Sequence, residues 1–194
     1  MDAGDTEERK AFLRDVCLPL AIRRSTESQE LATALLAGGH RSPAFVWAVR
    51  AAEIFFRDGL LFALEYEKTG DVDAAAEAAK AVIGGGKWTR TVRTIREAYG
   101  LEEPEHDMVT EGGEDAWVCW GRDGVARRHD VVHGRDEIDD DETVEWAIAF
   151  VEQLRKSFTL RAIASDRGPF ADVLRSVIEQ AQEAYRRERE ESSD

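Results

Sequence analysis

The segment "RRHDVVHG", residues 127 to 134, gathers the side chains of this sequence best suited to chemistry. Arg127, Arg128 and His129 stand in a row, Asp130 follows, and His133 lies four positions after His129. The chain has 4 histidines, and two of them are here. The others are His40, in a glycine turn, and His106, in an acidic stretch.

Two readings come from residue types and spacing. Positions i and i+4 of a helix share a face, so His129 and His133 would project together. "HDVVH" then looks like a shortened zinc-protease motif HExxH, with Asp130 at the acid position. Aspartate is a methylene shorter than the glutamate base of that motif. Gly134 ends the helix at once, and neither His40 nor His106 is an evident third ligand. No metal or other cofactor is therefore expected, with a zinc hydrolase using HDVVH as a third reading of function. The other reading is electrostatic. Basic side chains and histidine favour helix C-termini, where they meet the negative end of the dipole. Arg127, Arg128, His129 and His133 fit that account, whereas Asp130 does not.

A resemblance supplies a third reading. Arg128-His129-Asp130-Val131-Val132-His133 resembles the R-x4-H signature of the HEPN superfamily (higher eukaryotes and prokaryotes nucleotide-binding domains). A polar residue follows the arginine in that family, and His129 holds that place here. A "VVHG" ending is common there. "AVRAAEIFFRDGLL" also looks like an early HEPN helix, which often carries an acid near the position of Glu53. The resemblance spans residues 42 to 160. It implies an up-and-down helical bundle.

Many HEPN proteins are metal-independent endoribonucleases. The substrate's own 2′-hydroxyl attacks the adjacent phosphate and leaves a 2′,3′-cyclic phosphate. This chemistry needs a proton carrier, and histidine is the side chain that titrates near neutral pH. The resemblance gives that role to His133. A planar guanidinium suits the charge that gathers on phosphate oxygens, which is the role implied for Arg128. His129 would orient the pair or contact phosphate, with Asp130 and Glu53 in support. Five residues turn a helix by about 500°, so Arg128 and His133 sit roughly 140° apart. The family resolves this with a homodimer whose two motif helices form one cleft. The implied role is a toxin or defence effector. Several HEPN toxins continue as R-x4-H-x-Tyr, with the tyrosine modified by a nucleotidyltransferase antitoxin. Arg135 stands at that place here. This departure removes the tyrosine that such silencing modifies and leaves the cleavage chemistry untouched. A catalytically silent HEPN module that binds nucleotides or a protein partner is the main alternative.

RNA would need a local basic patch, because the formal net charge of −14 repels phosphate overall. "KWTRTVRTIRE" offers Lys87, Arg90, Arg93 and Arg96 as a stripe on one helix. Arg122, Arg127 and Arg135 flank the motif. The competing account of the stripe is a solvated face paired with nearby acids. The tryptophans Trp47, Trp88, Trp117, Trp120 and Trp146 are expected mostly in the core, with Trp88 and Trp120 as candidate base-stacking platforms.

The elements that must position these residues read as helices. The 194 residues, 43% hydrophobic and 34% charged, fit one soluble all-α domain. Helical periodicity covers 5 to 37, with Pro19 marking a break or kink. Ser42 is expected to cap the next helix, which Gly70 closes. Helices follow over 72 to 83 and 88 to 99, then an acidic loop over 101 to 113. The motif helix is expected from Glu114 to His133, a further helix over 142 to 164, and a last one from Pro169 to about 189. The domain is expected to span 1 to 194, with its core over 42 to 160 and additional helices at both ends. Cys17 and Cys119 lack a CxxC spacing and are expected as reduced thiols. No apolar run spans a bilayer and "MDAGDTEERK" does not resemble a signal peptide, so a cytoplasmic location without membrane contact is expected.

Overall fold

The computed structural model describes residues 3–84, 88–98 and 115–165, with residues 175–176 and 179–180 also helical. The architecture is an all-α helical bundle, and no β-strand occurs among the described residues. We number the helices α1 (3–37), α2 (41–69), α3 (Val72–Gly84), α4 (Trp88–Ala98), α5 (116–132) and α6 (Asp141–Ser165). None of the described helices is long and apolar enough to cross a membrane.

Three of these helices are continuous but contain a widened, π-type stretch: Leu13–Cys17 in α1, Ile54–Leu61 in α2 and Trp120–Ala126 in α5. In α1 the Leu18 N–H donates to the Leu13 carbonyl, one residue further back than in an α-turn. Pro19 follows immediately and has no N–H to give. The helix therefore runs on past the proline with a widened turn before it, and the break expected at Pro19 does not occur.

The turn from α1 to α2 is a Schellman motif. Gly39, at φ 79°, donates to the Leu36 carbonyl and His40 donates to the Leu35 carbonyl. Ser42 does not cap α2. That helix starts at Arg41, and Ser42 Oγ instead accepts the Ile138 N–H at 3.0 Å, tying the start of α2 to the segment before α6.

The order of the cross-links gives the directions. Phe12 meets Tyr66, and the buried Ser25 hydroxyl donates to the Ala51 carbonyl, so α1 and α2 run antiparallel. Arg128 meets Glu53 and Trp117 meets Phe56, so α5 is antiparallel to α2. Trp120 meets both Trp146 and Phe150 across α5 and α6. Arg155 on α6 donates to Ser25 and Gln29 on α1, and burial pushes its pKa down. The four long helices thus alternate in direction, and α3 and α4 pack on the second half of α2. The core residues Leu13, Leu18 and Ala32 of α1 join Phe45, Phe56, Trp117 and Phe158 in one cluster, so α1 is integral to the core. Gly59 allows α1 and α2 to approach closely, since a Cβ there would lie 2.8 Å from the Cβ of Ala21.

Candidate functional site

The R-x4-H motif lies at the end of α5. Asp115 starts this helix, its carboxylate accepting the N–H groups of Trp117 and Val118. The widened stretch then accommodates two glycines by letting indoles sit against them. A Cβ on Gly121 would lie 2.9 Å from Trp88, and one on Gly124 would lie 2.9 Å from the Trp120 ring. At the far end Gly134 takes φ 66° and closes a second Schellman motif. Its N–H donates to the Val131 carbonyl at 3.1 Å, and the Arg135 N–H donates to the Asp130 carbonyl at 2.8 Å. His133 is the C-cap residue.

Arg128 points towards α2. Its Nη2 donates to Glu53 Oε1 at 3.0 Å, while Glu53 Oε2 accepts from Arg50 at 3.3 Å. Glu53 is only 6% exposed, so this carboxylate is a buried acid clamped between two guanidiniums. Arg50 also reaches Asp58, which in turn pairs with Arg57. The Arg128 Nε is buried without a hydrogen-bond partner among the described residues. Val131, one turn on, packs against the core.

His129 and His133 lie exposed on the outer side. Their ring centroids are 4.3 Å apart, with planes inclined at 60°. The fold therefore brings Arg128 to Glu53 and His129 to His133, as two separate pairs. Asp130 faces Arg135 at 3.6 Å, which explains an acid among bases near a helix C-terminus. Among the described residues no group of three or more His, Cys, Asp or Glu is placed to hold a metal ion.

Most residues proposed for RNA contact already meet acids. Arg127 donates to Asp136 at 2.8 Å and lies over the Phe45 ring. Arg122 pairs with Asp123, and Arg93 with Glu97. Arg96 is turned inward, its side chain 13% exposed and paired with Asp115, so the helix stripe loses its last member to the fold. Arg90 is exposed, and no described acid pairs with it. Lys87 lies outside the described residues, as does His106. The bonds from Arg127 and Arg122 hold Asp136 and Asp123 below the usual carboxylate range. The cleft beside Arg127 is lined by Asp123, Asp140 and Glu142 as well as Cys119 and Trp146.

Trp117 and Trp120 are buried and Trp88 is partly so, its Nε1 donating to the Trp117 carbonyl. Trp120 is fully enclosed and presents no face to a base. Trp47 departs from the core expectation and is 39% exposed. The Arg50–Glu53 contact had no separate sequence signal beyond the i,i+3 spacing. The chain matches no protein-family model, no curated protein and no solved structure.

Proposed function

We propose that the chain is a metal-independent endoribonuclease of the HEPN type, acting as a homodimer on RNA. The 2′-hydroxyl would attack the neighbouring phosphate and leave a 2′,3′-cyclic phosphate. His133 would move the proton, and Arg128 would stabilise charge on the phosphorane oxygens. His129 would steer phosphate or the second histidine. The observation that carries this reading is the Glu53 clamp. A buried acid on α2 holds the arginine of the R-x4-H segment from across the bundle, with the histidine exposed at the helix end. Glu53 would act as a positioning residue, through its contact with Arg128. A toxin or defence role, and any antitoxin or nucleotidyltransferase partner, rests on the family resemblance alone.

The test is cleavage of a panel of structured and single-stranded RNAs in EDTA. The expected products end in 2′,3′-cyclic phosphate, and chelation leaves the rate unchanged. Activity that vanishes in EDTA and returns with zinc would replace this mechanism with a metal hydrolase at His129 and His133.

A second reading has its own observation. Arg93, Arg96, Arg122, Arg127 and Arg135 each meet a carboxylate, which weakens the positive field that RNA needs. This favours a catalytically silent module that binds a nucleotide or a protein partner. RNAs left intact by the wild-type chain, with no growth defect on expression, would select it.

A further inference from the structure

The exposed end of α5 carries a second chemical possibility that the ribonuclease reading does not use. His129 and His133 sit at i and i+4, with ring centroids 4.3 Å apart. Both side chains are exposed, so an ion can reach them from solvent. No hydrogen bond or ion pair among the described residues engages either imidazole. The Schellman bonds from Gly134 and Arg135 pin the last turn, which keeps His133 in register with His129.

Imidazole nitrogens bind zinc at about 2.0–2.1 Å, so two of them on one tetrahedral ion lie about 3.4 Å apart. Rings with centroids 4.3 Å apart on one helix face are close enough for a nitrogen of each to meet a shared ion. Imidazole selects Ni2+, Cu2+ and Zn2+ over Mg2+, which prefers oxygen ligands. The net charge of −14 also raises the local concentration of dications.

We propose that His129 and His133 form a two-histidine chelate for a borderline divalent transition-metal ion, with water completing its coordination. The ion has no catalytic part. Where the ribonuclease reading holds, the ion engages the imidazole that cleavage needs, so Zn2+ inhibits and EDTA restores the rate. The binding claim does not rest on that reading.

Isothermal titration of the full chain with NiCl2, against MgCl2 as control, tests it. One Ni2+ per chain is expected, with no comparable Mg2+ heat. His129→Ala and His133→Ala should each weaken Ni2+ binding at least about tenfold, the lower end of what losing even an outer-shell partner costs. His40→Ala should leave it unchanged. Ni2+ should also raise the melting temperature of the wild type and not of either variant, because only a folded helix presents both rings. An unchanged titration in His129→Ala overturns the proposal, as does the absence of saturable binding in the wild type. A chain that leaves RNA intact yet binds Ni2+ through both histidines overturns the ribonuclease reading and keeps this one.

Discussion

Glu53 is the residue on which the site geometry turns. It is 6% exposed and its two oxygens face different arginines, Arg128 at 3.0 Å and Arg50 at 3.3 Å. Removing its charge leaves two guanidiniums facing one neutral group. Glu53→Gln should therefore cost about 2 kcal/mol, the scale of a hydrogen bond to a charged group, read as a shift in the urea midpoint. The exposed His133 should tolerate alanine without loss of fold. His133→Ala should lower RNA cleavage by about 10²-fold or more, and Arg128→Ala by a comparable factor. Unchanged cleavage in both variants would sink the assignment of roles. Cys17 sets a pH limit of a different kind. Burial pushes its thiol up to about 11, above its ordinary value of 9.0. The folded state thus holds this proton more tightly than the unfolded chain does. The associated stability is complete below pH 9 and is lost as pH rises towards 11. The loss should amount to about 2–3 kcal/mol and should be absent in Cys17→Ala, as denaturant midpoints at neutral and alkaline pH would show.

At the scale of elements, glycine sorts into two physical roles. Gly134 is at φ 66°, and a Cβ there meets nothing within 4 Å. Gly134→Ala should cost about 1–2 kcal/mol through backbone strain alone and should loosen the end of α5. Gly59 sits inside α2, where a Cβ would lie 2.8 Å from Ala21 of α1. Gly59→Ala should cost about 1–3 kcal/mol by forcing two long helices apart. Thermal melts compare the two, and a Gly59→Ala chain as stable as wild type would contradict the close approach. Much of this layout was legible in the sequence. Gly70 and Gly134 mark helix ends because their left-handed φ is cheap only without a Cβ. Asp140 caps α6 through the Thr143 N–H, in the acidic run expected before that helix. The widened turns were not legible, since their residues also satisfy an ordinary helical stripe. The role of Ser42 was hidden for another reason: its partner Ile138 is 96 residues away. In the site, Arg128 and His133 stand out by spacing, and Glu53 by resemblance. The inward turn of Arg96 depends on Asp115, which spacing along α4 does not reveal.

At the scale of the whole molecule, the proposed chemistry needs a second copy. Within one chain Arg128 leans on α2, while His133 is exposed at the helix cap. A second α5 end would bring its His133 towards an Arg128 that is turned to Glu53 within its own chain. The same end exposes Val132, 56% accessible, which is an apolar contact available for that meeting. Two bodies of net charge −14 repel each other, and salt screens that repulsion. Dimerisation should therefore strengthen as salt rises from about 0.05 to 0.5 M, across which the screening length falls severalfold. RNA binding should weaken over the same range, because it releases counterions from phosphate. Arg90→Ala should flatten that salt dependence, since Arg90 is exposed and meets no described acid. Val132→Glu adds a charge to each copy at the proposed contact, and its exposed position spares the core. It should abolish the dimer and cleavage together while leaving the melting temperature near that of the wild type. Light scattering at micromolar concentration reads the mass directly, against 21.7 kDa for one chain. A monomer at every salt concentration, with cleavage intact, would remove the composite site and require Arg128 and His133 to act within a single chain.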